Sequence, residues 1–116
     1  MNKQDFKKCI ETAGASICNE MMAVYYNVSD VDRDKIASAV AKVLRATAIA
    51  KSNANIYFER GSKGFSDMKE YKKAKREFFK KLFAKNTEDF NASISAALKE
   101  FNEAVPQSVK DANKNA

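Results

Sequence analysis

An all-α, antiparallel four-helix bundle is the fold this sequence predicts, and three observations predict it. Glycine and proline are scarce, three and one in 116 residues, so few positions punctuate the chain. Apolar residues recur every three or four positions through four stretches, with no sustained strand-like alternation. The joints between the stretches are short, which favours antiparallel neighbours. An apolar content of 45% excludes wholesale disorder. A chain of this length makes one domain, able to bury roughly two-thirds of its unfolded surface. We assign the helical domain to residues 1–105 and a disordered, polar tail to 106–116.

The first helix is expected from Lys3 to Tyr26. Phe6, Ile10, Ala13, Ile17, Met21 and Val24 keep the 3.6-residue period, and Cys9, Cys18, Met22 and Tyr25 widen the stripe. Gly14 in mid-helix costs about 1 kcal/mol against alanine. Beside Ala13, Ala15 and Ser16 it marks a close helix approach rather than a hinge. Cys9 and Cys18 fall on opposite faces about 13 Å apart along the axis. That separation forbids an intrahelical disulfide. Two buried, reduced thiols are expected, so titration of the denatured, never-reduced chain should find both free.

Asn27-Val28-Ser29 interrupts the pattern. Ser29 suits an N-cap, with Asp30, Asp32 and Asp34 at the positive end of the second helix. Ile36, Val40, Val43, Leu44, Thr47 and Ala50 are its expected inner face. Ala37, Ala39, Ala41, Ala46 and Ala48 keep its other surfaces thin, which suits a central, closely packed element. Ser52–Asn55 is poor helix material, where the helix either continues to Arg60 or kinks and restarts through Ile56-Tyr57-Phe58. The spacing of Ala50, Ala54, Tyr57 and Phe58 favours continuation, with Gly61 ending it. The loop Gly61-Ser62-Lys63-Gly64 precedes a helix but matches no phosphate-loop spacing and follows no strand. It reads as a turn.

Asp67, with Glu70 three residues on, caps the third helix. Its apolar arc is Tyr71, Ala74, Phe78, Phe79, Leu82 and Phe83, supplying core through Tyr71, Phe78 and Leu82. On that reading Phe78→Ala costs about 3–5 kcal/mol. Asn86-Thr87-Glu88-Asp89 is expected to close this helix and cap a fourth. The fourth carries Phe90, Ile94, Ala97, Leu98, Phe101 and Val105 inward and stops at Pro106.

Catalytic chemistry is hard to assemble from this composition. There is no histidine, so the usual neutral-pH base and the commonest metal ligand are both missing. Two cysteines alone do not make a zinc site. Cys9 has Lys7 and Lys8 near in sequence, but these project elsewhere from a helix. The pairs Asp30/Asp34 and Glu100/Glu103 fit dipole compensation or a solvated face. We therefore expect a binding protein, not an enzyme, with no cofactor and no metal. No run approaches 18 apolar residues, and Met1–Lys8 lacks the apolar core of a signal peptide. A cytoplasmic protein without a transmembrane segment is expected.

The net charge of +6 is unevenly placed. Residues 60–85 hold ten Lys/Arg against three acids, and the remainder holds eleven against twelve. At helical spacing Lys69, Lys72, Lys73, Arg76 and Lys80 form one face with no acid between them. Lys69/Lys73, Lys72/Arg76 and Arg76/Lys80 are like-charge i,i+4 pairs that each cost a few tenths of a kcal/mol. Such a face suits a nucleic-acid backbone or an acidic protein surface, and the plainer reading is a solvated face. An anionic membrane surface is a fourth reading. Eight of the twelve aromatics lie between Tyr57 and Phe90, and aromatics interleaved with Lys/Arg occur in single-strand grooves. Were the chain instead an adaptor or inhibitor docking on an acidic partner, Tyr25, Tyr26 or Phe79 would serve as anchors.

Overall fold

The computed structural model describes residues 2–55 and 67–106, which form three helices: α1 (Lys3–Asn27), α2 (Arg33–Asn53) and α3 (Met68–Ala104). The all-α class holds, and the helix count is three among the described residues, not four. The turn at Gly61–Ser66 and the tail from 107 onward lie outside the described residues.

α1 begins where Asn2 Oδ1 accepts the amide of Asp5 at 2.8 Å. It buries Phe6, Ile10, Gly14, Cys18 and Met21 against its neighbours. A Cβ placed on Gly14 would collide with Thr47 Oγ1. That hydroxyl is held by donation to Val43 O at 2.8 Å, so it cannot turn aside freely. The glycine is therefore the close approach of α1 to α2 that the sequence suggests.

The cap of α2 is Asp32, not Ser29. Its carboxylate accepts from the Lys35 amide at 3.2 Å, and helical geometry starts at Arg33. Two contacts keep the preceding residues out of the helix. Val31 packs half-buried on the core, and the Asp32 amide donates to Ala104 O at 2.9 Å. Arg33 secures the same corner: Nε donates to Tyr25 O at 3.2 Å and Nη2 to Val28 O at 3.4 Å. Its guanidinium lies 5.8 Å from the Tyr25 ring centroid.

α2 buries Ile36, Ala39, Val43, Ala46 and Ala50. Leu44, expected inside, is 59% exposed. The reason is packing on two partners, since α2 meets both α1 and α3. Small side chains at 39, 46 and 50 admit those helices closely, and they displace the inner face from the one that side-chain size suggests. α2 does not continue to Arg60: it ends at Asn53, with Ala54 as its C-cap. Asn55 N donates to Ser52 O at 3.0 Å, a tighter turn than α-helix.

α3 runs unbroken through Asn86–Asp89. Thr87, Glu88 and Asp89 point to solvent, where a helix tolerates them. Asn86 is 3% exposed and donates from Nδ2 to Ala50 O at 2.9 Å. A residue read as a stop is thus a buried clasp between two helices. Ala104 ends the helix, and Val105 turns extended ahead of Pro106.

These contacts fix the arrangement. Asp32 meets Ala104 at one end of the α2–α3 pair and Ala50 meets Asn86 at the other, so the two run antiparallel. Phe6, near the start of α1, stacks on Phe83 with ring centroids 5.2 Å apart. The result is an up-down-up bundle whose core takes Phe90, Ile94, Ala97 and Ala104 from α3, with Phe83 and Phe101 at its margin. Tyr71, Phe78 and Leu82 are only half-buried and stand outside that core, which corrects the expectation that they supply it.

Candidate functional site

From Met68 to Leu82, α3 lies beyond Phe83, its last contact with the core of the described residues. No residue from Asp67 to Lys85 is buried, whereas Asn86, Phe90, Ile94, Ala97 and Ala104 are. At about 100° per residue the apolar residues of α3 form two stripes rather than one arc. Phe79 and Phe83 align with Phe90, Ile94 and Ala97. Tyr71, Ala74, Phe78 and Leu82 lie roughly a third of a turn away.

The basic row lies opposite this second stripe. Lys69, Lys72, Lys73, Arg76 and Lys80 are all exposed. Lys69, Lys72, Lys73 and Arg76, with Glu70 and Glu77 on one flank, line a concavity of about 520 Å³. Lys75 belongs elsewhere, 5.8 Å from the Tyr71 ring centroid. Among the described residues, no ion pair reaches any of the five. The three ion pairs between described residues are Lys35–Glu103 (4.0 Å), Lys42–Glu100 and Lys51–Glu11, all within the bundle.

Titration behaviour follows the same division. Hydrogen bonds from Lys42 and then Ser38 hold the Glu100 carboxyl below its ordinary range. Lys51 does the same for Glu11. Burial pushes the Cys18 thiol up. Both thiols are free, but only Cys18 is buried: Cys9 is exposed, contrary to the expectation of two core thiols. The nine-residue spacing turns the two to opposite sides, and only one side faces α2 and α3.

Of the anchors considered, Tyr26 is 73% exposed and Tyr25 half-buried beneath Arg33, both at the α1–α2 corner. Phe79 is half-buried and stacks on Phe83 at 6.2 Å. The aromatic run Phe6–Phe83–Phe79 has little trace in the sequence. Its only local signal is the i,i+4 spacing of Phe79 and Phe83, which leaves the partner on α1 unspecified. Among the described residues, no three His, Cys, Asp or Glu gather to hold a metal, and no helix is long and apolar enough to cross a membrane.

Comparison with family models, with curated proteins and with solved structures finds no match to this chain.

Proposed function

We propose that this protein is a non-enzymatic binding protein that takes up a polyanion, foremost a nucleic-acid backbone, along Lys69, Lys72, Lys73, Arg76 and Lys80. The observation that carries the reading is the absence, among the described residues, of any ion pair to these five exposed cations, while Lys35, Lys42 and Lys51 on the bundle are paired. The row extends about 16 Å along a helix that mixed charges would stabilise better. Counterion release from a phosphate chain supplies the driving force.

Five contacts to duplex phosphates give a log–log salt slope near −4 to −5, at roughly −0.9 per phosphate. Phosphate contacts position a protein without reading bases, so affinity should vary little with sequence. Fluorescence anisotropy with labelled oligonucleotides at two salt concentrations tests this. Lys72→Glu with Arg76→Glu should abolish binding and leave the circular dichroism spectrum unchanged, since both residues are exposed. Equal binding by wild type and double variant, or none by either at low salt, reduces the row to a solvated face.

Docking on an acidic protein surface is the competing reading. Its best-exposed aromatic anchor, Tyr26, stands at the α1–α2 corner, at the opposite end of the bundle from the basic row. The most exposed anchor and the charge are therefore on different patches, and the anchor beside the row, Phe79, is half-buried where a hot spot favours a protruding ring. A discrete copurifying protein, in place of salt-removable absorbance at 260 nm, would favour it.

A further inference from the structure

We infer that the basic row is a single-strand site, in which Phe79 presents its ring to an unstacked base while the row holds the phosphates. This inference rests on the polyanion reading and narrows it. Phe79 follows Lys72 by seven residues and Arg76 by three, so it lies within about 20° of the first and 60° of the second around the helix. It is the outermost ring of a run that starts in the core. Phe6, 8% exposed, stacks on Phe83 at 5.2 Å and 30°, and Phe83 stacks on Phe79 at 6.2 Å and 29°. Phe78 braces Phe79 edge-on at 5.2 Å and 74°.

A ring held on two sides, half-buried yet beside a row of cations, has its orientation fixed before any ligand arrives. A base stacking there extends an existing column and does not have to order a loose side chain. Only an unpaired strand can turn a base face outward in this way, because a duplex keeps its bases stacked on one another. Spacing favours the same ligand. The row places five cations within about 16 Å of helix, in a band about 100° wide. A flexible strand adjusts its phosphates to that staggered band, while a duplex holds its phosphates at fixed positions. Stacking platforms beside a basic track are how single strands are held without sequence preference.

The test uses four probes: a labelled single strand, the same strand in a duplex, an abasic strand of equal length, and polyphosphate. Phe79→Leu keeps an apolar side chain and removes the ring. It should weaken single-strand binding about tenfold and leave the other three probes unchanged. A second variant, Phe79→Trp, provides the only tryptophan, since the chain has none. Its emission should be quenched by the single strand and not by the abasic strand or polyphosphate. Equal weakening of all four probes by Phe79→Leu, weakening of none, or unchanged Phe79→Trp emission on a bound single strand overturns the inference. If polyphosphate and duplex bind and Lys72→Glu with Arg76→Glu abolishes it, the polyanion reading survives that result. If no probe binds wild type, both fall.

Discussion

Residues 68–85 and 86–104 belong to one uninterrupted helix, yet they differ in charge, in burial and in what lies beside them. The C-terminal half carries Glu88, Asp89, Glu100 and Glu103 against Lys99, and it packs Phe90, Ile94 and Ala97 into the core. The N-terminal half carries eight Lys/Arg against two acids and buries no residue. In the first case, burial of an apolar stripe stabilises the helix, and Glu100 and Glu103 pair with lysines of α2. In the second, the helix is propagated from an anchored end, which spares it the cost of nucleation, and the five cations of its basic row have no ion pair among the described residues. A segment that can rely on a neighbour for stability is free to keep an unfavourable charge pattern.

The largest effect that could break this comparison comes from two phenylalanines. Phe90→Ala should cost about 3–5 kcal/mol in denaturant melts, as a buried ring does. Phe78→Ala, from a half-buried position, should cost clearly less. Equal losses would place both halves in one core and revive the reading of Phe78 as a core residue. At the boundary itself, Asn86→Ala should cost about 1–2 kcal/mol through a lost buried hydrogen bond. The figure stays moderate because Ala50 O still accepts from Ala54 N at 3.1 Å. No measurable loss would mean that the clasp does not hold the two helices in register.

The smallest effect is a pH dependence confined to one half. The folded-state carboxyl of Glu100 titrates below its unfolded value because Lys42 hydrogen-bonds to it. Its stabilising contribution is therefore full above the unfolded carboxylate range and is lost as pH falls through the depressed folded value. Melting temperature should drop over that acid limb, and Lys42→Met should flatten the drop. Lys72→Glu in the other half should leave the limb unchanged, and a parallel change there would show that the halves are electrically coupled.

Much of this architecture is legible in the sequence where one local rule acts alone. Lys3 as the start of α1, Asp67 as a cap accepting the Glu70 amide at 2.7 Å, and the stop before Pro106 each depend on residues within a turn of one another. Misreadings arise where a distant neighbour decides. Asn86 looks like a stop until Ala50 O is beside it, and Leu44 looks like core until two helices crowd the alanine side of α2. Helix breakers are absent from 86–89, so the helix had nothing local to end it. The basic row is legible by counting charges and applying 100° per residue. Its place beyond the core contacts is not, because that depends on where α1 and α2 terminate.

The unbroken passage of α3 through Asn86 has a rotational consequence. A straight helix is a stiff shaft, and the Asn86–Ala50 bond keys that shaft to the bundle at one angle. The direction in which Lys69 to Lys80 point is therefore set by residue count, at about 100° for each position. One residue inserted between Phe83 and Asn86 would leave every cation present, yet turn the whole row by more than a quarter of a revolution relative to the core. The chain thus encodes the bearing of its charged face as a number of residues, with the buried asparagine as its zero mark.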